Sequence, residues 1–307
     1  MEIREKMKVA ISIGDLNGVG IEIALKSHEK IKQWIKPVYC INEKMLKKAA
    51  KLFNYKIPED FEIFEIEGDF EIKPGTVDAD AGKYSFESFM TAVNLAKEKK
   101  VNAITTLPIN KESWAKASIK YKGHTEVLRD VFKKDAIMML GCEKMYVALF
   151  TEHIPLKEVA ERVKKDRLIK FFIDFYNSTN FHKVGVLGLN PHAGDGGVLG
   201  EEEIKEILPA IKKANKIINK DFYYGPLVPD TAFSSGKGRF IAMYHDQGLA
   251  PLKALYFDES INVSLNLPIL RTSVDHGTAF DIAYKGIANT KSYENAIKYI
   301  LNHQKLT

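Results

Sequence analysis

The sequence predicts an α/β fold, a mostly parallel sheet covered by helices, in two domains or one large unit. Three observations carry that expectation. Short apolar runs rich in β-branched residues alternate with helical patterns, the order produced when parallel strands are joined by helical crossovers. The 307 residues exceed what one hydrophobic core usually fills. No tandem repeat or low-complexity linker interrupts the alternation. The chain opens on the strand run KVAISIG, continues through the helical pattern GIEIALKSHEKI to the strand KPVYCI, and reaches VNAITTLPI after the helix SFESFMTAVNLAKEKK. MYVALFT follows as a strand, PLKEVAERVKKDRLIKFFIDFYN as a helical stretch, and HKVGVLGLN and RFIAMYHD as further strands. Domain crossings are expected where Pro108 and Gly123 break the pattern, between LPINKESW and YKGHTE, and again near LPILRTSVDHG.

Composition excludes several classes. Hydrophobic residues make up 45% and charged ones 28%, the balance of a globular chain rather than a disordered one. No apolar run approaches the roughly 20 residues that a bilayer-spanning helix needs, so no membrane association is expected. The start, MEIREKMKVAISIGD, lacks the apolar core of a signal peptide, which makes the cytoplasm the expected location. Cys40 and Cys142 are the only cysteines and have no metal-type spacing. The 45 basic against 40 acidic residues leave a formal charge of +5, spread as lysines over helical faces. Without a compact basic patch or interleaved aromatics, nucleic acid is not an expected partner.

Chemistry-bearing residues gather at apparent strand ends, where open α/β sheets bind ligands. His153 in ALFTEHIPL, His192 in LGLNPHAGDGG and His245 in AMYHDQG each follow an apolar strand-like run. Three imidazoles with an open position would make a divalent-metal site, although each alone also reads as a structural histidine. His28, His182 and His303 have no site-like neighbours and read as surface or structural. The glycines of LNPHAGDGGVLGEEE, with a helix expected near Glu201, allow a ligand close to the backbone or form a mobile loop. The Gly14, Gly18 and Gly20 loop is similar, and neither carries the dinucleotide spacing. In YKGHTEVLRD, His124 and Thr125 stand at a helix start, suited to an anion, with capping by Thr125 as the plain alternative. Arg271 beside Ser273, Asp275 and His276 is a bidentate anion binder by geometry, and Lys253 in YHDQGLAPLK, past a turn expected at Gly248, can pair with a carboxylate. The residues alone reach an enzyme, possible metal dependence and a small anionic substrate.

Taken together, GDLNGVGIEI, LPINK, GHTE, LNPHAGDGG, GPLVPDTAF, YHDQGLAPLK and INVSLNLPILRTSVDHGTAFDIA resemble, in order, the 4-hydroxythreonine-4-phosphate dehydrogenase family of pyridoxal phosphate biosynthesis. HGTAFDIAYKGIAN is also similar to the adenosine-binding segment of isopropylmalate and isocitrate dehydrogenases. The resemblance implies two α/β/α domains of isopropylmalate dehydrogenase type with a cleft between them: residues 1–124 with 275–307, and residues 125–274 holding the metal ligands and the dimer interface. It implies a homodimer whose subunits both contribute ligands to a divalent metal (zinc, magnesium, cobalt, manganese or nickel). By matching, His153, His192 and His245 are those ligands. His124, Thr125, Lys253, Asn262 and Arg271 are implied to bind a small phosphorylated substrate; Lys253, Asp230 and Lys111 are implied at the reacting centre. Gly194, Gly196, Gly197, His276 and Asn289 are implied around NAD or NADP. The implied reaction oxidises the C3 hydroxyl of 4-hydroxy-L-threonine 4-phosphate by hydride transfer, with decarboxylation to 3-amino-2-oxopropyl phosphate.

Two departures bear on this. Where the family has a Pro-Gly-Asp-Pro-Ala-Gly type segment, this chain has SIGDLNG, and the glycine-rich segment expected after Lys253 is replaced by ALYFDESIN. Both affect pocket shape rather than reaction type. A dehydrogenase of erythronate or threonate 4-phosphate and a non-catalytic metabolite-binding protein are the competing readings.

Overall fold

The computed structural model describes residues 6–303. In chain order the regular elements begin with β1 (Lys8–Ser12), α1 (Gly20–Ile31), β2 (Lys36–Cys40), α2 (Glu43–Leu52), β3 (Ile63–Phe64), α3 (Ala79–Lys97), β4 (Ala103–Thr106), α4 (Lys111–Lys116) and α5 (His124–Phe132). They continue with β5 (Ile137–Cys142), β6 (Met145–Leu149), α6 (Val159–Arg162), α7 (Lys165–Asn177), β7 (Val184–Leu187), α8 (Leu208–Ile218) and β8 (Tyr223–Leu227). The last are α9 (Pro229–Ala232), β9 (Gly238–Ala242), α10 (His245–Tyr256), β10 (Ile261–Leu265), β11 (Leu270–Val274) and α11 (Lys291–Asn302). The described chain divides into two compact units, residues 6–134 with 268–303, and residues 135–267. The first division falls later than the expected 124/125, and the second earlier than 274/275, where β11 pairs with β4 and keeps residues 270–274 in the first unit. Residues 1–5 and 304–307, placed by the sequence reading in the first domain, lie outside the described residues.

In the first unit the strands run in the order β3-β2-β1-β4-β11, all parallel. β1 and β4 are buried throughout except at Lys8, the continuous apolar run expected of a sheet covered on both faces. α3 lies against β1, β2 and β4, and Asp78 caps its start by accepting from Asp80 N and Ala81 N. Because β2 and β4 flank β1, the strand order reverses at β1. The crevice at the carboxyl ends of β1 and β4 is then the favoured ligand position. There the loop 13–19 locks onto its neighbours: Asp15 N donates to Pro108 O at 2.9 Å and Val19 N to Thr278 O at 3.0 Å. A Cβ on Gly14, at φ +74°, would stand 2.3 Å from Pro108 O, so only glycine fits there.

The second unit has the order β10-β5-β6-β9-β7-β8. β5 is antiparallel to both β10 and β6, whereas β6, β9, β7 and β8 are mutually parallel. β5 and β10 are strands that the sequence reading did not name. The single helix expected over PLKEVAERVKKDRLIKFFIDFYN is instead a 3-10 turn at Leu156–Glu158, then α6 and α7, broken at Val163 where ψ is 85°. α10 packs on β5, β6 and β9, burying Leu249 and Leu252 into a core with Val147, Leu149, Phe240 and Ala242. Burial of two such leucines stabilises the helix by about 1.5–3 kcal/mol each.

Candidate functional site

Four parallel neighbours of the second unit end on the same edge, and each is followed by one expected site residue. His153 follows β6, His245 follows β9, His192 follows β7 and Asp230 follows β8. The His153 and His245 rings come within 5.5 Å between centroids, tilted by 43°. Adjacent strands lie about 4.8 Å apart, so imidazoles leaving neighbouring strand ends meet at this range. The three histidines do not close into one set whose ligating atoms all lie within 4.8 Å of one another. The reason is lateral: β9 lies between β6 and β7, which puts the loops of His153 and His192 two strand spacings apart. His245 Nδ1 lies 2.6 Å from the Asp246 carboxylate. A carboxylate only accepts, so Nδ1 carries the proton and Nε2 keeps the lone pair that a metal would need. His153 and His192 are exposed and His245 half-exposed, and imidazole donors of this kind suit a borderline divalent ion.

Among the described residues the one set of three with mutually close ligating atoms is His28, Glu29 and Asp60. Its cation is already present, since Lys32 Nζ lies 2.9 Å from both Glu29 and Asp60. Buried His28 is held between Tyr39 and Asp60, a structural role that matches the sequence reading.

The stretch YHDQGLAPLK is helix from His245 onward, so Gly248 is not a turn. Its role is close packing: a Cβ there would stand 2.5 Å from Val147 Cγ1 and 2.9 Å from Ala242 Cβ. α10 therefore rests on β6 and β9 at glycine distance and carries both His245 and Lys253, whose ammonium lies 5.1 Å from the Phe257 ring centre. The glycine-rich loop after β7 is a left-handed turn. Residues 192–197 all have positive φ, among them the non-glycines His192, Ala193 and Asp195 at 53°, 53° and 42°. Gly194 is buried at φ +82°, whereas a Cβ on Gly196 would meet nothing within 4 Å.

In the first unit, Arg271 of β11 is 2% exposed yet charged. Its Nη2 donates to Thr106 Oγ1 at 2.7 Å and lies 3.2 Å from His124 Nδ1. Burial pushes the guanidinium down to about 9, still cationic at neutral pH. Burial, then the charges of Arg271 and Lys111, hold His124 well below the usual imidazole range, so it is neutral. Since Arg271 donates to Nδ1, the ring proton sits on Nε2, a buried donor with no hydrogen-bond partner among the described residues. Phe89 and Trp114 fix the ring edgewise at 4.5 and 5.6 Å. α5 begins at His124 with Gly123 as N-cap and no side-chain cap, so Thr125 lies in the first turn rather than capping it. A buried cation, an oriented N–H and an uncapped helix start are groups that can bind an anion. Lys111 opens α4 nearby, its Cε 3.8 Å from where a Cβ on Gly123 would stand.

Residues 33–300 match the family described as Pyridoxal phosphate biosynthetic protein PdxA. The chain belongs to the PdxA family. It is 62% identical over 297 residues to the 4-hydroxythreonine-4-phosphate dehydrogenase of Sulfurimonas denitrificans, covering 95% of this chain and 96% of that protein. The enzyme of the same name from Campylobacter fetus subsp. fetus is 57% identical over 298 residues, covering 96% and 97%. Among solved structures, the 4-hydroxythreonine-4-phosphate dehydrogenase of Klebsiella pneumoniae superposes with a TM-score of 0.78 at 31% identity, covering 97% of this chain and 98% of that one.

For a PdxA-family chain, the remaining expected residues fall as follows. Asn262 is on β10, its Oδ1 buried and without a hydrogen-bond partner among the described residues. His276 and Asn289 bracket an irregular segment in the first unit, while Gly194, Gly196 and Gly197 belong to the second. Asp230 is exposed on α9, which packs against the left-handed turn. Two buried acidic residues that follow β1, one in its loop and one in α1, escaped the sequence reading. Glu22, fully buried, accepts from Ala288 N at 2.7 Å and Gly286 N at 3.2 Å, while Lys26 Nζ donates to the carbonyls of both. Burial raises the fully buried Asp15 from the ordinary 3.8 to about 6, against the opposing N–H of Asn17. Glu22 does not stand out in sequence, because a glutamate on an amphipathic helix reads as solvent-facing.

Proposed function

We propose that this chain catalyses NAD- or NADP-dependent, divalent-metal-dependent oxidation of 4-hydroxy-L-threonine 4-phosphate at its C3 hydroxyl, with decarboxylation to 3-amino-2-oxopropyl phosphate. It would act in the cytoplasm, in pyridoxine 5′-phosphate biosynthesis, as a homodimer whose subunits share the metal. The observation that carries the reading is the strand edge of the second unit, where imidazoles follow three adjacent parallel strands, in a chain 62% identical to an enzyme named for this reaction. Among the described residues no helix is long and apolar enough to cross a membrane.

His153, His192 and His245 would hold the divalent ion; His276, Asn289, Gly194, Gly196 and Gly197 would line the nicotinamide cofactor. When bound, the ion supplies Lewis acidity at the reacting oxygen and the cofactor accepts the hydride. The chain's own residues bind and orient. Arg271, a cation buried beside neutral His124, offers charge-assisted N–H donors to an anionic group of the substrate, and His124 Nε2–H adds a fixed neutral donor. Thr125 and the uncapped first-turn N–H groups of α5 suit phosphate oxygens. Asn262 Oδ1 accepts from a substrate amine or hydroxyl, and Lys253 takes a carboxylate. Lys253, Asp230 and Lys111 are assigned to proton transfer around the reacting carbons.

The test is absorbance at the reduced-nicotinamide band with metal-loaded enzyme, 4-hydroxythreonine 4-phosphate and NAD or NADP, beside a chelated control. Metal-dependent reduction is expected. Reduction only with erythronate or threonate 4-phosphate would move the chain to the sugar-acid reading. Inertness with every substrate, despite bound metal, would leave a metabolite-binding protein.

A further inference from the structure

We propose that Gln247 and Glu203 are positioning residues that hold the histidine-bearing loops of each subunit in place. The inference rests on the reading of His153, His192 and His245 as metal ligands and adds the hardware that places them. One hydrogen-bonded chain links the three strand ends. Thr151, two residues before His153, donates through Oγ1 to Met243 O at 2.6 Å, tying the loop after β6 to the loop after β9. Met243 N donates to Gln247 Oε1 at 2.7 Å, and Gln247 Nε2 donates to Gly188 O at 2.6 Å, tying the loop after β9 to the one after β7. Leu189 N and Asn190 N then donate to Glu203 Oε1 at 2.7 and 2.8 Å, and Asn190 Nδ2 to Oε2 at 3.0 Å.

Each link has a chemical requirement. Gln247 faces one N–H and one carbonyl, so it must both accept and donate; a glutamate cannot donate to Gly188 O, and an apolar side chain does neither. Glu203 is 2% exposed and sits under the left-handed turn of residues 192–197. Left-handed backbone is disfavoured for a non-glycine residue, so the conformation of His192, Ala193 and Asp195 persists only where the surroundings hold it. Glu203 supplies that hold: its carboxylate pins the two residues that enter the turn and fills the space beside Gly194, where a Cβ would stand 2.7 Å from Oε2. Without it the turn relaxes toward right-handed backbone and His192 leaves its place.

Partners that orient metal ligands typically contribute about 10–100-fold in metal affinity. Titration calorimetry of the purified metal-free protein with Zn²⁺, and visible absorption with Co²⁺, should show that loss in Gln247→Met and in Glu203→Leu, with an altered Co²⁺ spectrum. Circular dichroism of the metal-free variants should match the native protein. Glu203→Gln keeps an acceptor for the two backbone N–H groups and should recover most of the affinity. Turnover should return at saturating metal, because the defect lies in holding the ion. His245→Ala separates the two layers of the argument. Native metal binding in His245→Ala overturns the ligand reading and the proposal with it. Lost binding in His245→Ala beside native affinity in Gln247→Met overturns the positioning role alone. If Glu203→Leu fails to fold, Gln247→Met decides, and native metal affinity with a native Co²⁺ spectrum in that variant rejects the proposal.

Discussion

Replacing Gly248 by alanine tests how α10 is seated. The added Cβ would stand 2.5 Å from Val147 Cγ1 and 2.9 Å from Ala242 Cβ. Carbon atoms rest at about 3.5–4.0 Å, so the helix must withdraw from the sheet by about 1 Å. Overpacking of this size costs about 1–3 kcal/mol, a fall of roughly 2–8 °C in melting temperature. The larger effect should fall on turnover. His245 opens α10 and Lys253 lies on the same helix about 12 Å along its axis. A displacement of about 1 Å carries both away from their places, and misplacement on that scale costs about 100-fold in rate. The assay is initial-rate reduction of NAD or NADP by metal-loaded Gly248→Ala, beside a thermal melt. Adding Val147→Ala removes the nearer methyl and should recover part of the lost rate. A native rate and melting temperature in Gly248→Ala would refute the seating argument, as would a double variant no better than the single one.

Other expectations come from buried groups outside that helix. Asp15 carries a carboxyl raised from 3.8 to about 6, so in the folded protein it holds its proton over a pH range where the unfolded chain has released it. Its burial therefore lowers stability progressively as pH rises from about 4 to 6, by up to about 3 kcal/mol. Asp15→Asn should accordingly melt above the native protein at pH 7 but not at pH 4; an equal difference at both would reject this. Glu22→Ala removes two backbone hydrogen bonds that hold the loop before Asn289, and should raise the KM for NAD or NADP about 10-fold or more with less change in substrate KM. An unchanged cofactor KM would detach this loop from cofactor binding. Chelation should abolish turnover, with recovery on adding a divalent ion, and His245→Ala should show neither metal content nor recovery.

The sequence alone determined the α/β alternation, the first helix Gly20–Ile31 and the strands that start the sheet, because apolar periodicity and β-branched runs are local properties of the chain. It also marked the three histidines at strand ends, since the apolar run that precedes each is visible without the fold. Only the tertiary structure decided which strands are neighbours. That order puts β9 between β6 and β7, and so makes His153 and His245 a pair while His192 stands one strand further on. Gly248 read as a turn because glycine often breaks a pattern, whereas its real constraint is a contact with Val147 from a strand a hundred residues earlier in the chain, which no local rule contains. Gln247, Glu203 and Glu22 were illegible for the same reason. A buried polar side chain is defined by the partners that satisfy it, and theirs are backbone groups of distant loops brought together by packing.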